Sequence, residues 1–275
     1  MATSELSPRT PPATSGRRPR IGLALGSGAA RGWAHIGVIR RLLHHGIEPD
    51  LIAGTSIGAL VGACWLAGRL DALEDWALSL NRRRMLGYAD VLINGTGLIG
   101  GRKLGKLLAH HIADRRIEDL PKPFTVVAAE LATGHETWLQ QGDLAEAVQA
   151  GYALPGVFPP RKIDGRWLID GALVNPLPVS VCRAMGARIV IAVGLHADAF
   201  GRAAVSRRER YDNLAFIEGE GLRETDPAED GPRLAAMRQL FGMGDRTPGM
   251  GTVMLASLNI VMDRLTRSRL AGDPP

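Results

Sequence analysis

A serine flanked by glycines is the residue of this chain whose setting most clearly indicates chemistry. The stretch Gly54-Thr55-Ser56-Ile57-Gly58 follows one apolar run and opens another. A G-x-S-x-G turn between a strand and a helix is the setting of a nucleophilic serine, because the sharp turn exposes the hydroxyl. The N-terminus of the following helix would favour negative charge developing beside it. The alternative is an ordinary tight turn in which Ser56 caps the helix.

A second glycine-rich turn precedes the serine turn in the sequence. Residues Gly26 to Gly32 read GSGAARG and also connect a predicted strand to a predicted helix. The backbone N–H groups of such a loop could bind a dinucleotide phosphate or the oxyanion of an acyl-transfer intermediate. The spacing is G-x-G-x-x-x-G, and the next strand carries no acidic residue for a ribose, which disfavours a dinucleotide. An oxyanion hole explains this loop and Ser56 together, with Arg31 tethering the loop or adding positive potential.

A nucleophilic serine needs a base, and the sequence offers histidines and one aspartate. His35 lies early in the first predicted helix, and His196 is a weaker candidate at a strand end. The other histidines occupy predicted helices or a hairpin turn: His44, His45, His110, His111 and His135. Asp170 ends an apolar strand, and Gly171 allows the backbone to turn beside it, so the carboxylate could reach Ser56. An ordinary Asp-Gly turn is the alternative.

The elements around these turns alternate between strand and helix. From Ile21 the order is strand, glycine loop, helix, strand, serine turn and helix, which defines a βαβ unit and a parallel sheet. The runs at 124–131 and 187–195 predict further buried strands, and TVMLASLNIVMDRLTRSRL predicts a final amphipathic helix. Both small-residue turns follow adjacent strands, so we expect them to converge at one edge of the sheet.

Length and composition predict one globular domain over residues 21–275. The chain is 45% hydrophobic and 22% charged, which is ordinary for a soluble protein able to form a large core. Residues 1–20 are rich in Pro, Ser, Thr and Arg and predict a disordered tail without a secretory apolar segment. Residues 201–251 are rich in charge, Gly and Pro and predict a mobile segment or lid. The apolar runs are shorter than the ~20 residues that span a bilayer.

Several functional classes find little support in the sequence. The net charge of +5 comes largely from the N-terminal tail, and no nucleic-acid-binding pattern accompanies it. Cys64 and Cys182 lie in apolar surroundings, which predicts reduced core cysteines and a cytoplasmic protein. No cluster of cysteines and histidines has the spacing of metal ligands. We therefore expect no metal, no cofactor and no nucleic-acid partner.

Four separated motifs resemble those of bacterial patatin-like phospholipases, especially the RssA-type group. The resemblance extends over about residues 21–195, and the motifs occur in the same order: LALGSGAARGWAHIGVI, AGTSIGALVGA, LPGVFPP and LIDGALVNPLPV. It implies a three-layer α/β/α fold with a mostly parallel central sheet. It also implies a Ser–Asp dyad without a catalytic histidine, in which Ser56 is the nucleophile and Asp170 the base.

The resemblance further implies how the remaining motif residues act. The N–H groups of Gly28 and Ala29 would form the oxyanion hole. Supporting positions in the matching motifs are Gly26, Arg31, Gly32, Gly54, Gly58 and Gly171. The substrate would be a phospholipid or another fatty-acyl ester, reached by peripheral contact with the inner face of the membrane. Leu154, Val157, Phe158 and Leu173 could line an acyl groove, but apolar residues of this kind are predicted to be core.

The chain departs from the family pattern at two places. Ser27 and Ala29 replace glycines of the family loop, and alanine does not adopt positive φ as readily as glycine. Family members also continue past RLAGDPP with another strand, so we expect an edge of the fold to be missing. Two rival functions stay open: an acyltransferase that uses G-x-S-x-G, although Thr55 stands where its histidine would be, and a non-catalytic lipid-binding or regulatory protein.

Overall fold

Seven strands form one mixed sheet in the part of the chain that the computed structural model describes, namely residues 18–79, 112, 114–195 and 250–274. Strands β7, β1, β2 and β3 lie side by side and run parallel. Antiparallel pairs join β3 to β4, β3 to β6, and β5 to β6. The strands are β1 Ile21–Leu25, β2 Leu51–Thr55, β3 Phe124–Glu130, β4 Glu136–Leu139, β5 Arg161–Ile163, β6 Arg166–Asp170 and β7 Ile189–Val193.

Helices cover both faces of this sheet. In the described ranges they are α1 Ala34–His44, α2 Ile57–Leu66, α3 Leu70–Ser79, α4 Leu144–Gly151, α5 Val179–Ala184 and α6 Met250–Gly272. One hydrophobic cluster joins the sheet to α1, α2, α3 and α4, and a second joins its other face to α5 and to Leu270 of α6. The three-layer α/β/α fold with a mixed, mostly parallel sheet is therefore confirmed.

Some predicted segments lie partly or wholly outside the described residues. The tail is described only from Arg18 onward, and the segment expected to be mobile is described only at its end. There Met250 and Gly251 belong to α6, and the mobile segment or lid stays a prediction. Among the described helices, none combines the length and the apolar content that crossing a bilayer requires.

Two strands share one edge of β3 and meet end to end. Val127 pairs with both β2 and β4, whereas Ala128 pairs with both β6 and β4. A strand residue has one neighbour on each side, so β4 occupies one edge of β3 while β2 and β6 divide the other. Thr55, the last residue of β2, pairs with Val127, and Asp170, the last residue of β6, pairs with Ala128. The carboxyl ends of β2 and β6 therefore face each other.

Glycines allow the chain to leave the sheet at this junction. A Cβ atom on Gly171 would lie 2.2 Å from the carbonyl oxygen of Val127 in β3. A Cβ atom on Gly58 would lie 2.2 Å from the carbonyl oxygen of Leu25 at the end of β1. Both atoms would meet strand backbone, which cannot move aside as a flexible side chain can. Close backbone contact therefore explains glycine at these two predicted positions.

We predict that Gly171→Ala lowers the free energy of unfolding by about 1–3 kcal/mol, because the added methyl group must displace the backbone of β3. The matched control is Gly37→Ala in α1, where an added Cβ meets nothing within 4 Å. That control should raise stability by about 0.5–1 kcal/mol, since alanine is the better helix former. Urea denaturation measures both changes, and a stable Gly171→Ala protein would contradict the close approach.

Candidate active site

Ser56 occupies a strained turn between β2 and α2. Its backbone has φ 56° and ψ −125°, a conformation that costs a non-glycine residue about 1–3 kcal/mol. Gly54 makes the turn compact, since a Cβ there would lie 2.5 Å from the Cα of Ala59. Ser56 is at the N-cap position of α2, yet its side chain makes no capping hydrogen bond. The structure therefore excludes the helix cap as the use of this hydroxyl.

The Ser56 hydroxyl instead contacts the carboxylate of Asp170. Its Oγ donates a hydrogen bond of 2.7 Å to Oδ2 of Asp170. The other carboxylate oxygen, Oδ1, accepts a 2.8 Å hydrogen bond from the N–H of Ala172. The backbone N–H of Asp170 donates to the carbonyl of Ala153 at 3.0 Å. The carboxylate is thus held at both oxygens and at its backbone, and Ser56 remains partly exposed beside it.

The environment of Asp170 changes its acidity. The residue is only 2% exposed, and burial raises its pKa from 3.8 to about 7. The hydrogen bonds from Ala172 and Ser56 oppose this shift, because they stabilise the charged carboxylate. No cationic side chain of the described residues forms an ion pair with it. A carboxylate with this pKa can accept a proton near neutral pH, which an exposed aspartate does poorly.

His35, the nearest histidine candidate, lies elsewhere. Its side chain is fully buried, and Nε2 is 2.7 Å from the carbonyl oxygen of Gly26, so that nitrogen carries the donated proton. Burial lowers the pKa of the imidazole, and its Nδ1 has no partner among the described residues. His35 is therefore a neutral side chain that holds the first glycine loop and does not contact Ser56.

The other histidines give no described contact with Ser56. The rings of His44 and His45 meet edge to face at 5.3 Å at the end of α1, and His135 lies in the exposed turn before β4. Three further candidates lie outside the described residues: His110, His111 and His196.

The first glycine loop is fixed to the sheet at its start. The N–H of Gly26 donates to the carbonyl of Val193 in β7 at 3.1 Å, and the N–H of Ser27 donates to the carbonyl of Pro176 at 2.8 Å. Together with the contact from His35, these bonds anchor the loop to the two chain segments that flank it. The loop cannot move far from the end of β1 without breaking them.

The loop then turns toward the start of α2. A Cβ on Gly32 would lie 2.1 Å from Cγ2 of Ile57, the residue after Ser56, so the loop packs directly on the serine turn. Within the described residues, the N–H groups of Gly28 and Ala29 donate to no acceptor. Ala29 adopts φ 46°, although alanine resists positive φ. The loop therefore places an alanine in a conformation that glycine adopts more readily.

Arg31 is exposed and makes no ion pair with any residue that the structure describes. The predicted tether is not seen in this part of the chain. Positive potential from the guanidinium beside the loop stays a prediction.

A polar network that the sequence analysis did not identify joins the two halves of the site. Thr55 Oγ1 donates to the carbonyl of Asn175 at 2.9 Å, and the Asn175 side chain donates to Glu136 at 2.8 Å. Glu136 also forms a 3.0 Å ion pair with Arg269 of α6. Asn175 is fully buried, and its Pro-rich sequence surroundings give no signal of that burial. The network ties the residue before Ser56 to the segment after Asp170.

The four apolar residues predicted to be core lie in two segments, one before β5 and one directly after Asp170, and none is fully buried. Leu154 follows the carbonyl that binds the Asp170 N–H, and Leu173 lies in the turn after Asp170. Val157 and Phe158 belong to the same loop as Leu154. All four side chains keep intermediate exposure, and Phe158 packs against the larger hydrophobic cluster, so none of the four is fully buried and only Phe158 is shown to contact the core.

No group of histidine, cysteine, aspartate or glutamate side chains suited to a metal ion occurs within residues 18–79, 112, 114–195 and 250–274. Cys64 and Cys182 are buried and unbonded, as expected of core cysteines. Burial raises the pKa of both thiols to about 12, so neither is a thiolate near neutral pH.

Fold and site together define an α/β protein with a serine in a sharp strand-to-helix turn and a buried carboxylate beside it. The chain belongs to the patatin-like phospholipase family, whose family model matches residues 23–183. The predicted family is confirmed.

Named relatives extend this finding. An uncharacterized NTE family protein of Mycobacterium tuberculosis is 43% identical over 185 residues, which are 67% of this chain and 51% of that protein. Patatin-like phospholipase domain-containing protein 7 of Mus musculus is 34% identical over 180 residues, or 63% of this chain and 13% of the relative. The chain thus spans about half the length of the mycobacterial relative. These names do not identify the RssA-type group, which stays a prediction.

Among solved structures, the chain is similar to VipD from Legionella pneumophila. The TM-score is 0.44 at 13% sequence identity, and the match covers 56% of this chain and 46% of VipD.

We predict that Asp170→Asn changes how stability depends on pH. Because burial raises the folded-state pKa to about 7, the folded protein holds the proton more tightly than the unfolded chain does. Wild-type stability should therefore fall, by an amount on the order of a few kcal/mol, as pH rises from about 4 to 7. Asparagine can replace both hydrogen bonds without the buried charge, so the variant should be the more stable protein at pH 8.

Urea denaturation at pH 5, 6, 7 and 8 measures this difference. Asp164→Asn is the matched control, because Asp164 is exposed and its turn has a positive φ that asparagine tolerates. The control should keep the wild-type pH dependence. An Asp170→Asn protein whose stability stays parallel to that of wild type would show that the carboxylate is not a buried proton acceptor.

Proposed function

We propose that the chain is a serine acyl-ester hydrolase that acts on phospholipids or other fatty-acyl esters. The observation that carries this proposal is the 2.7 Å hydrogen bond from Ser56 to the buried carboxylate of Asp170, made in a strained turn at the end of a strand. Family membership supports the same conclusion, because the family model is that of patatin-like phospholipases. A patatin-like phospholipase domain-containing protein among the relatives adds support.

In this mechanism Asp170 is the general base. As Ser56 Oγ attacks the acyl carbonyl carbon, its proton passes to Oδ2 of Asp170. The tetrahedral intermediate then collapses, and the proton moves from Asp170 to the departing alcohol oxygen. Water attacks the acyl-enzyme, gives its proton to Asp170 and releases the fatty acid as Ser56 recovers its hydrogen. A pKa of about 7 suits both directions of transfer.

The N–H groups of Gly28 and Ala29 would stabilise the oxyanion of each tetrahedral intermediate. Two facts support this role: neither group donates to another described residue, and the loop packs on Ile57 beside the nucleophile. The positive φ of Ala29 also supports this role, because backbone strain is commonly retained where it orients functional groups. One such donor typically lowers the barrier by about 3 kcal/mol.

An acyl chain would find apolar contacts beside the dyad. Leu154 follows Ala153 and Leu173 follows Ala172, the two residues whose backbone binds Asp170. Both side chains are only partly buried, as are Val157 and Phe158 of the same loop as Leu154, and their exposed carbon surface favours a fatty-acyl group over a polar one. These contacts support an acyl ester as the class of substrate.

We predict that Ser56→Ala abolishes hydrolysis of p-nitrophenyl butyrate and that Asp170→Asn lowers kcat at least a thousandfold. The first substitution removes the nucleophile, and the second leaves it without a base. Ser257→Ala is the control, because that exposed hydroxyl only donates to the carbonyl of Val253 in α6. Mass spectrometry after treatment with a fluorophosphonate should find the adduct on Ser56 alone. Wild-type rates in the two site variants would refute the hydrolase.

We also predict that kcat/KM rises with pH and reaches a plateau above about pH 7. The base must be deprotonated to act, and burial raises the pKa of Asp170 to about 7. Initial rates with a short ester between pH 5 and 9, corrected with the Ser56→Ala protein, give the profile. A rate that stays constant down to pH 5 would show that no group with a neutral pKa serves as the base.

A further inference from the structure

The hairpin of β5 and β6 carries exposed aromatic and basic side chains for which the hydrolytic mechanism has no use. Trp167 is 49% exposed, and Leu131, which follows β3, is 52% exposed. The basic side chains Arg161, Lys162 and Arg166 are exposed on the same hairpin. Soluble proteins rarely expose large apolar side chains next to each other. Exposed apolar side chains beside basic ones therefore indicate a binding surface.

These side chains are neighbours in the sheet. Lys162 pairs with Trp167 across β5 and β6, and its Nζ lies 5.7 Å from the centre of the indole ring. The N–H of Leu131 donates to the carbonyl of Trp167 at 2.8 Å, which extends the pairing of β3 with β6 by one residue. Leu168, the next residue of β6, is fully buried, so Trp167 faces away from that cluster.

The hairpin projects beyond the edge of the sheet at which Ser56 lies. Leu168 pairs with Glu130, the last residue of β3, so Trp167 and Arg166 lie past the carboxyl ends of the parallel strands. Trp167 precedes Asp170 by three residues of β6, which corresponds to about 10 Å along the strand. A bilayer that the Trp167 indole enters would therefore lie on the order of 10 Å from Asp170 along β6.

The charge on this surface is unbalanced. Asp164 is the one acidic residue between Arg161 and Trp167, against three basic residues. No acidic side chain in the described ranges forms an ion pair with Arg161, Lys162 or Arg166. Exposed tryptophan beside lysine and arginine matches a bilayer interface, where the indole enters the headgroup layer and the cations meet anionic lipid.

We propose that the surface formed by Leu131, Arg161, Lys162, Arg166 and Trp167, here called the hairpin patch, docks on bilayers that contain anionic lipid. The proposal deepens the proposed function, since it specifies that the substrate is phospholipid in a bilayer that contains anionic lipid. It rests on separate observations, because the exposure and charge of the hairpin patch do not depend on Ser56. Docking there brings the carboxyl edge of the sheet to the membrane.

The test is a flotation assay of the full chain with two kinds of vesicle. The chain carries Ser56→Ala, so that it does not hydrolyse the vesicle lipids. Vesicles of 70% phosphatidylcholine and 30% phosphatidylglycerol should bind the protein, and vesicles of phosphatidylcholine alone should not. Raising salt from 0.1 to 0.5 M should weaken binding, because screening acts on exposed charge. Failure to bind the anionic vesicles would overturn the proposal.

Substitutions in the same background then locate the surface. Lys162→Gln with Arg166→Gln should weaken binding about thirtyfold, and Trp167→Ala about tenfold. The first control removes two exposed charges elsewhere, Arg41→Gln with Arg115→Gln, and should bind as tightly as the parent protein. The second control is Trp138→Ala, an exposed tryptophan of β4 whose indole N–H contacts Glu136. Equal weakening by patch variants and controls would overturn the proposal.

Two further readouts separate the alternatives. Urea denaturation should give the same midpoint for patch variants and controls, which excludes loss of folding as the cause. Light scattering should give one oligomeric state for all of them, and a dimer lost only in the patch variants would assign the surface to a second copy and overturn the proposal.

With Ser56 intact, patch variants should hydrolyse a soluble short ester at the wild-type rate and anionic vesicles at least tenfold more slowly. A chain that binds vesicles and hydrolyses no ester would refute the proposed function and leave the docking proposal standing.

Discussion

The hydrogen bond between Ser56 and Asp170 depends on a carboxylate being buried at a junction of two strands. Strands β2 and β6 end against each other along β3, and the hydrogen bond from Ser56 to Asp170 spans the gap between their ends. No cation of the described residues compensates the carboxylate, so its charge is held only by Ser56 and by the N–H of Ala172. This is unfavourable for stability and is the reason that the group takes up a proton near neutral pH.

The glycine loop and the serine turn are held in register by the sheet beneath them. Leu25, the last residue of β1, pairs with Gly54, so the two chains leave adjacent strands within one residue of each other. Both exits contain a non-glycine residue at positive φ, Ala29 in the loop and Ser56 in the turn. Such strain persists only where surrounding contacts fix the backbone, and the buried His35 supplies one of them through Gly26.

Patterns local in sequence predicted much of this arrangement. The apolar run before Ser56 and the glycines around it indicate strand, turn and helix, and Asp170 is recognisable as a polar end to an apolar strand. What the sequence alone left open is which base meets the serine, because that depends on β6 entering the sheet antiparallel beside β3. Long-range pairing of this kind leaves no periodic signal, so the resemblance to a family was needed to prefer Asp170 over His35.

Side-chain exposure was harder to predict than the elements themselves. Leu154 and Phe158 have the composition of core residues, and Phe158 packs against the larger hydrophobic cluster, yet both side chains keep intermediate exposure. Asn175 presents the opposite case. A polar residue in a Pro-rich segment indicates a surface turn, yet Asn175 is fully buried and forms hydrogen bonds with Thr55 and Glu136. In both cases tertiary contacts determine exposure, and residue type does not.

Strand β6 connects the proposed docking surface to the proposed chemistry. Trp167 and Asp170 belong to the same five-residue strand, so a bilayer that fixes one end also fixes the distance to the other. Asp170 is already shielded from water, whereas Ser56 is partly exposed. An approaching apolar surface would therefore exclude water mainly from the side of the nucleophile, where the acyl carbonyl must enter. The buried base would keep its proton affinity while the hydrogen bonds to the developing oxyanion gained strength in the less polar surroundings.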